Sequence, residues 1–260
     1  MKDVQDTGIS QAILNAYHEK FARAIESDVV IVGAGPSGLV AARRLAESGL
    51  RVTIIEKRLS AGGGIWGGSM GMNDVVIQPE AAPVLESAGI RHREGSNGLL
   101  IVDAAELASA LCLRSLQAGA ILLNLMVAED LGMRDSRVTG VVVNRSLIGE
   151  SLPVDPLTLG ARAVIDATGH EAVLVQTLRR RGISPEQGLD RPFGEAPMDA
   201  AAGERFVVDN VQEIYPGLWL TGMSVCAALG GPRMGPIFGG MLLSGERVAR
   251  DVQESLQARR

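Results

Sequence analysis

The chain has 260 residues, 46% of them hydrophobic and 3% aromatic, with a formal net charge of −5. That content buries one full core, so the chain reads as a single unit over 1–260 with an inserted sub-region near 100–160. Its longest apolar runs, 28–32 and 120–127, fall short of the roughly 20 residues that span a bilayer.

The N-terminus is polar and acidic, without a basic stretch followed by an apolar one, so a cytoplasmic protein with no membrane partner is expected. Basic residues are scattered except at Arg179, Arg180 and Arg181, and no continuous basic face is available for nucleic acid. Cys112 and Cys226 lie far apart in apolar contexts and read as reduced structural thiols. The 32 glycines point to backbone that turns tightly or closely approaches a ligand.

In chain order, residues 10–25 place Ile13, Leu14, Tyr17, Phe21 and Ile25 at spacings of three and four. That predicts an amphipathic helix covering the sheet or a partner subunit. A β-branched strand (28–32), a helix (36–48) and a second strand (51–55) form a βαβ unit. The glycine-dense segment 62–71, with Trp66 and Met70, reads as a binding loop. A helix is predicted over 104–117, then strands over 121–125, 128–133 and 138–144 in a smaller layer. Residues 163–166 return as a parallel core strand, 170–180 are helical, and the Pro-, Gly- and acid-rich stretch 184–203 is expected to be mobile. A strand (218–221), a second glycine-rich loop (230–240) and a closing helix (241–256) complete the chain.

Gly33, Gly35 and Gly38 form G-x-G-x-x-G directly after a strand and at the opening of a helix, with Glu56 ending the next strand. Gly33 permits the tight turn, Gly35 admits a pyrophosphate, and Gly38 lets the helix pack on the strand. The helix N-terminus favours phosphate charge. A carboxylate at Glu56 accepts from ribose hydroxyls and repels a 2′-phosphate, which selects an NAD- or FAD-type adenosine over NADP. Ala34, Ser37, Lys57, Gly63, Gly64, Val127 and Met223 are assigned to the same dinucleotide.

Ala167-Thr168-Gly169 and Leu220-Thr221-Gly222 each follow a strand, and the pair resembles the strand-end signatures of glutathione-reductase-type flavoproteins. The expected fold class is therefore α/β, a Rossmann-like two-dinucleotide-binding-domain flavoprotein type with a small inserted β layer. FAD remains an open answer at this point.

GGGIWGG at 62–68, Val154-Asp155-Pro156 with Thr168-Gly169-His170, and RMGPIFGGMLLSG at 233–245 are more specific. Together with 28–38 they resemble the thiamine thiazole synthase family over nearly the whole chain. The resemblance implies that NAD is consumed as a substrate. Nicotinamide is expelled, glycine condenses with the ADP-ribose carbons, sulfur is added, and an ADP-linked thiazole carboxylate results. It also implies an Fe(II) ion held by Asp155 and His170, which then count as catalytic, with open positions for substrate atoms and sulfide. Taken alone, His170 also reads as a helix-capping or core residue, and Asp155 as the start of a turn. Arg233 is positioned to clamp the glycine carboxylate through two parallel hydrogen bonds, with Met234 and Gly235 bringing backbone N–H groups to the same intermediate. A ring-like homo-oligomer, possibly an octamer, is implied, with the metal ligands drawn from one subunit or two.

One position departs from the family. Members that donate their own sulfur carry cysteine two residues before the aspartate, and many sulfide-dependent members carry histidine; here the residue is Pro153. Proline has neither sulfur nor acid, so self-donation through this position is excluded and sulfide becomes the expected donor, over many turnovers. Two alternatives stay open: an FAD-dependent oxidoreductase of the glutathione-reductase fold, and a non-catalytic NAD or ADP-ribose binding protein.

Overall fold

The computed structural model describes residues 4–147, 154–183 and 193–259. The first helix, α1 (Asp6–Ala24), leads into strand β1 (Glu26–Val32), helix α2 (Pro36–Glu47) and strand β2 (Val52–Glu56). Next come β3 (Asp74–Ile77), α3 (Ala82–Ala88), β4 (Arg93–Glu94), β5 (Leu100–Asp103) and α4 (Ala104–Gln117). Strands β6 (Ile121–Asn124), β7 (Met126–Arg134), β8 (Arg137–Arg145) and β9 (Leu157–Asp166) precede α5 (Val173–Arg180) and α6 (Ala200–Asp209). The chain closes with β10 (Glu213–Tyr215), β11 (Leu218–Leu220), α7 (Met223–Leu229) and α8 (Gly239–Ala258).

The main sheet has the order β10-β11-β9-β1-β2-β6, with β11, β9, β1, β2 and β6 parallel. Its central strands are buried on both faces, which is why 29–32 and 163–165 read as continuous apolar runs rather than alternating ones. Helix α2 packs against α8, where Gly245 lets the helices close: a methyl there would sit 2.5 Å from the Ser37 carbonyl oxygen. The outer flank of β9 is shared. Its first half pairs antiparallel with β8 and its last three residues pair parallel with β11.

Three differences from the sequence reading have physical causes. Residues 121–124 do not join a smaller layer; they pair in parallel with β2 as the edge of the main sheet. A separate three-stranded antiparallel sheet, β3-β5-β4, was not predicted, because strands of two to four residues carry too little alternation to read. Part of the stretch expected to be mobile is ordered: Asp199 caps α6, its Oδ1 accepting the Ala202 N–H at 3.0 Å, and residues 184–192 lie outside the described ones.

Helix α1 forms where predicted, but only the C-terminal end of its apolar stripe, Phe21 and Ile25, packs against the core. Ile9, Ile13, Leu14 and Tyr17 are exposed on the single chain, and only Ala24 is buried. Among the described residues, no helix is long and apolar enough to cross a membrane.

Candidate active site

The carboxyl ends of β1, β2 and β9 open onto one cleft of about 1150 Å³. This is the crevice where doubly wound sheets bind ligands. Gly33 begins its floor with φ +106°, a conformation only glycine adopts readily. A side chain there would come 2.3 Å from the Ala167 carbonyl oxygen, and one at Gly38 would come 2.2 Å from that of Gly33. The first and third glycines therefore act through packing, and Gly38, like Ala34, lies behind the cleft wall. Gly35 differs: a Cβ at this position would meet no protein atom within 4 Å, so the missing side chain leaves open cleft above the α2 N-terminus. Gly63 and Gly64 line the same space, and Gly63 packs directly on Gly35.

Glu56 is buried at the cleft edge. Its Oε2 accepts the Ala34 N–H at 2.9 Å and its Oε1 accepts the Arg58 N–H at 2.8 Å, so two backbone donors fix the carboxylate. Lys57 follows it and donates to Glu171 at 2.6 Å across the rim. Ser37, Val127 and Met223 also line the cleft.

The opposite wall is built on Asp166, which is fully buried at the end of β9. Its carboxylate accepts from the Thr168 N–H and hydroxyl, the Ser224 hydroxyl, and the N–H groups of Leu174 and Val175. Burial pushes this carboxyl up, and the hydrogen bonds from Thr168 and Ser224 pull against that. The node fixes the Thr168-Gly169-His170 turn, with the Gly169 N–H held by the Ser224 hydroxyl at 3.0 Å. His170 stands half-exposed in the cleft, its Nδ1 hydrogen-bonded to a carboxylate oxygen of Glu195.

The third side is the loop carrying Arg233, Met234 and Gly235. Met234 is buried against Gly203, and Gly235 turns the chain with φ +77°. The Arg233 side chain is exposed and forms no ion pair among the described residues, so its guanidinium is available to an anion in the cleft.

Asp155 stands apart from all of these. It is exposed just ahead of β9, whereas His170 follows the other end of that strand. Ten residues of β9 at about 3.3 Å each separate them by roughly 30 Å within one chain. Among the described residues no cluster of three or more His, Cys, Asp or Glu side chains is arranged to hold a metal ion. Pro153 lies outside the described residues. Sequence reasoning missed Glu195 and Asp166: Glu195 lies in an irregular, acid-rich stretch without periodicity, and Asp166 reads as the last residue of a core strand.

The Thi4 family profile matches residues 10–238 of this chain. The chain belongs to the Thi4 family. It is 46% identical over 254 residues to a thiamine thiazole synthase of Pyrococcus abyssi, covering 97% of this chain and 99% of that one. It is 47% identical over 255 residues to a thiamine thiazole synthase of Thermotoga maritima, covering 98% and 99%. The crystal structure of Thermovibrio ammonificans THI4 superposes with a TM-score of 0.94 at 40% identity, covering 98% of this chain and 100% of that one. Both the family resemblance and the α/β Rossmann-like fold class expected from the motifs are thereby established.

Proposed function

We propose that this chain is a thiamine thiazole synthase that converts NAD and glycine, with free sulfide, into an ADP-linked thiazole carboxylate over many turnovers. The observation that carries the reading is a Thi4 match over residues 10–238 together with a glycine-rich β1–α2 turn, His170 and Arg233 that open on one cleft. The Gly33–Gly38 turn receives the pyrophosphate and Glu56 the adenosine ribose, so the nicotinamide ribose points toward His170 and the Arg233 loop. There the Arg233 guanidinium orients the glycine carboxylate by paired hydrogen bonds, while Met234 and Gly235 shape the backbone around it.

Sulfide from solution fits the thiols that are present. Cys226 is buried, and burial, with the charges of Glu195 and Glu204, pushes its thiol up to about 12. Burial raises Cys112 as well. Neither forms a thiolate readily at neutral pH, and Pro153 offers no sulfur at the position where family donors carry it.

Imidazole nitrogen and carboxylate oxygen suit Fe(II), and His170 is open to the cleft, so the donor types fit a ferrous ion. When bound, such an ion supplies Lewis-acid and ligand-exchange chemistry for the sulfur step. Because β9 keeps Asp155 away from His170 of the same chain, the carboxylate comes from a second copy. The exposed Ile9, Ile13, Leu14 and Tyr17 of α1 supply an apolar surface for a homo-oligomer in the cytoplasm.

Mixing subunits tests this. Asp155→Ala and His170→Ala are each expected to be inactive alone, and co-assembled to regain about a quarter of the sites, since a random pairing in trans restores both ligands at one site in four. No recovery in verified mixed oligomers would contradict a shared site.

A further inference from the structure

Glu195 is held more tightly than a loop carboxylate needs to be. The Gly194 N–H donates to the Ala227 carbonyl and the Ala196 N–H to that of Gly231, both at 2.9 Å. The Arg233 N–H donates back to Ala196 at 3.2 Å, and Asp199 to Arg233 at 3.0 Å. Residues 194–199 are thus zipped onto the loop that carries Arg233, and Gly194, with φ +120°, aims the following side chain into the cleft wall. The Glu195 side chain is only 14% exposed, and among the described residues neither lysine nor arginine pairs with it. Its hydrogen-bond partner is Nδ1 of His170.

A carboxylate only accepts, so the bond calls for a proton on Nδ1, and in the neutral ring that tautomer carries its lone pair on Nε2. It also fixes ring rotation, since the backbone of Gly169 is already pinned by Ser224. A histidine bound to a metal ordinarily donates its other ring N–H in this way. We propose that Glu195 is the positioning residue for His170, selecting the tautomer and the ring orientation that present Nε2 to the cleft. Because Glu195 and Arg233 share one hydrogen-bonded strap, the imidazole and the carboxylate clamp are set in register with each other.

This inference rests on the reading that His170 binds a divalent ion, and the test separates the two. In metal-free protein, ¹⁵N-labelled at its three histidines, His170 is expected in the Nδ1–H form. Glu195→Ala is expected to revert it toward the Nε2–H form that free imidazole side chains favour in water. With Co(II) as the probe, Glu195→Ala is expected to bind about 10- to 100-fold more weakly. Glu195→Gln, whose amide oxygen still accepts from Nδ1–H, should stay within a few-fold of the parent. ADP affinity in both variants should match the parent, which confirms a folded cleft. An unchanged tautomer and unchanged Co(II) affinity in Glu195→Ala overturn the proposal, as does a Glu195→Gln variant as weak as the alanine. If His170→Ala keeps full Co(II) affinity, the metal reading fails instead, whereas the tautomer measurement still judges Glu195.

Discussion

Replacing both cysteines, Cys112→Ala with Cys226→Ala, should leave thiazole formation intact. The magnitude follows from burial. With its thiol pushed to about 12, Cys226 is ionised in roughly one molecule in 10⁵ at neutral pH, too few to serve as a nucleophile. It is fully buried among α7 residues, so truncation leaves a small void and lowers stability by about 1 kcal/mol. Cys112 is only partly buried and adds less. The assay pairs product formed per subunit, with sulfide supplied anaerobically, with the intact mass of the protein after reaction. A parent protein of unchanged mass, and a double variant turning over at close to the parent rate, are expected. A protein lighter by one H₂S after reaction, or a double variant that folds but makes no thiazole, would refute the reasoning, because either result makes a cysteine of this chain the sulfur source.

Gly38→Ala forces a methyl to 2.2 Å from the Gly33 carbonyl oxygen, so α2 must move; denaturant unfolding should show a loss of about 1–3 kcal/mol and calorimetry a weaker NAD affinity. Arg233→Lys keeps the charge but removes the paired donors, and steady-state kinetics should show the glycine KM rising by about 10-fold or more with NAD binding unchanged. At Asp28 burial pushes the carboxyl up, but the Arg51 backbone N–H and charge and the Arg162 side chain outweigh it and hold it below its ordinary 3.8. A depressed carboxyl stabilises the fold above its unfolded value, so that contribution is full at neutral pH and is lost as pH falls below about 4. Asp28→Asn should flatten the acid limb of a stability–pH curve while leaving the alkaline side unchanged.

The parts of the molecule legible in the sequence are those whose signal is local. The Gly33–Glu56 unit reads correctly because strand, turn, helix and acidic strand end lie within 31 residues, and Gly33 and Gly38 each have a steric reason to be where they are. Helix α4 reads to the residue because Asp103 caps it, accepting the Glu106 N–H at 2.8 Å. Helix α7 was not legible: all seven of its residues are buried, so it has no polar face to give a helical period. The β3-β5-β4 sheet was hidden by distance, since Asp74–Ile77 pairs with Leu100–Asp103 across an intervening helix. The candidate site divides the same way. Gly35, Glu56 and His170 stand in motifs, whereas Glu195 meets His170 only in space, 25 residues away. Asp155 and His170 are paired by the family resemblance with one subunit or two left open, and the length of β9 shows that a single chain keeps them apart.

The most direct test of the proposed synthase is mass spectrometry of the small molecules released from the purified protein, before and after anaerobic incubation with NAD, glycine, Fe(II) and sulfide. The proposal predicts nicotinamide release and an ADP-linked thiazole carboxylate in molar excess over the protein. Release of FAD, or NAD recovered unchanged, would contradict it.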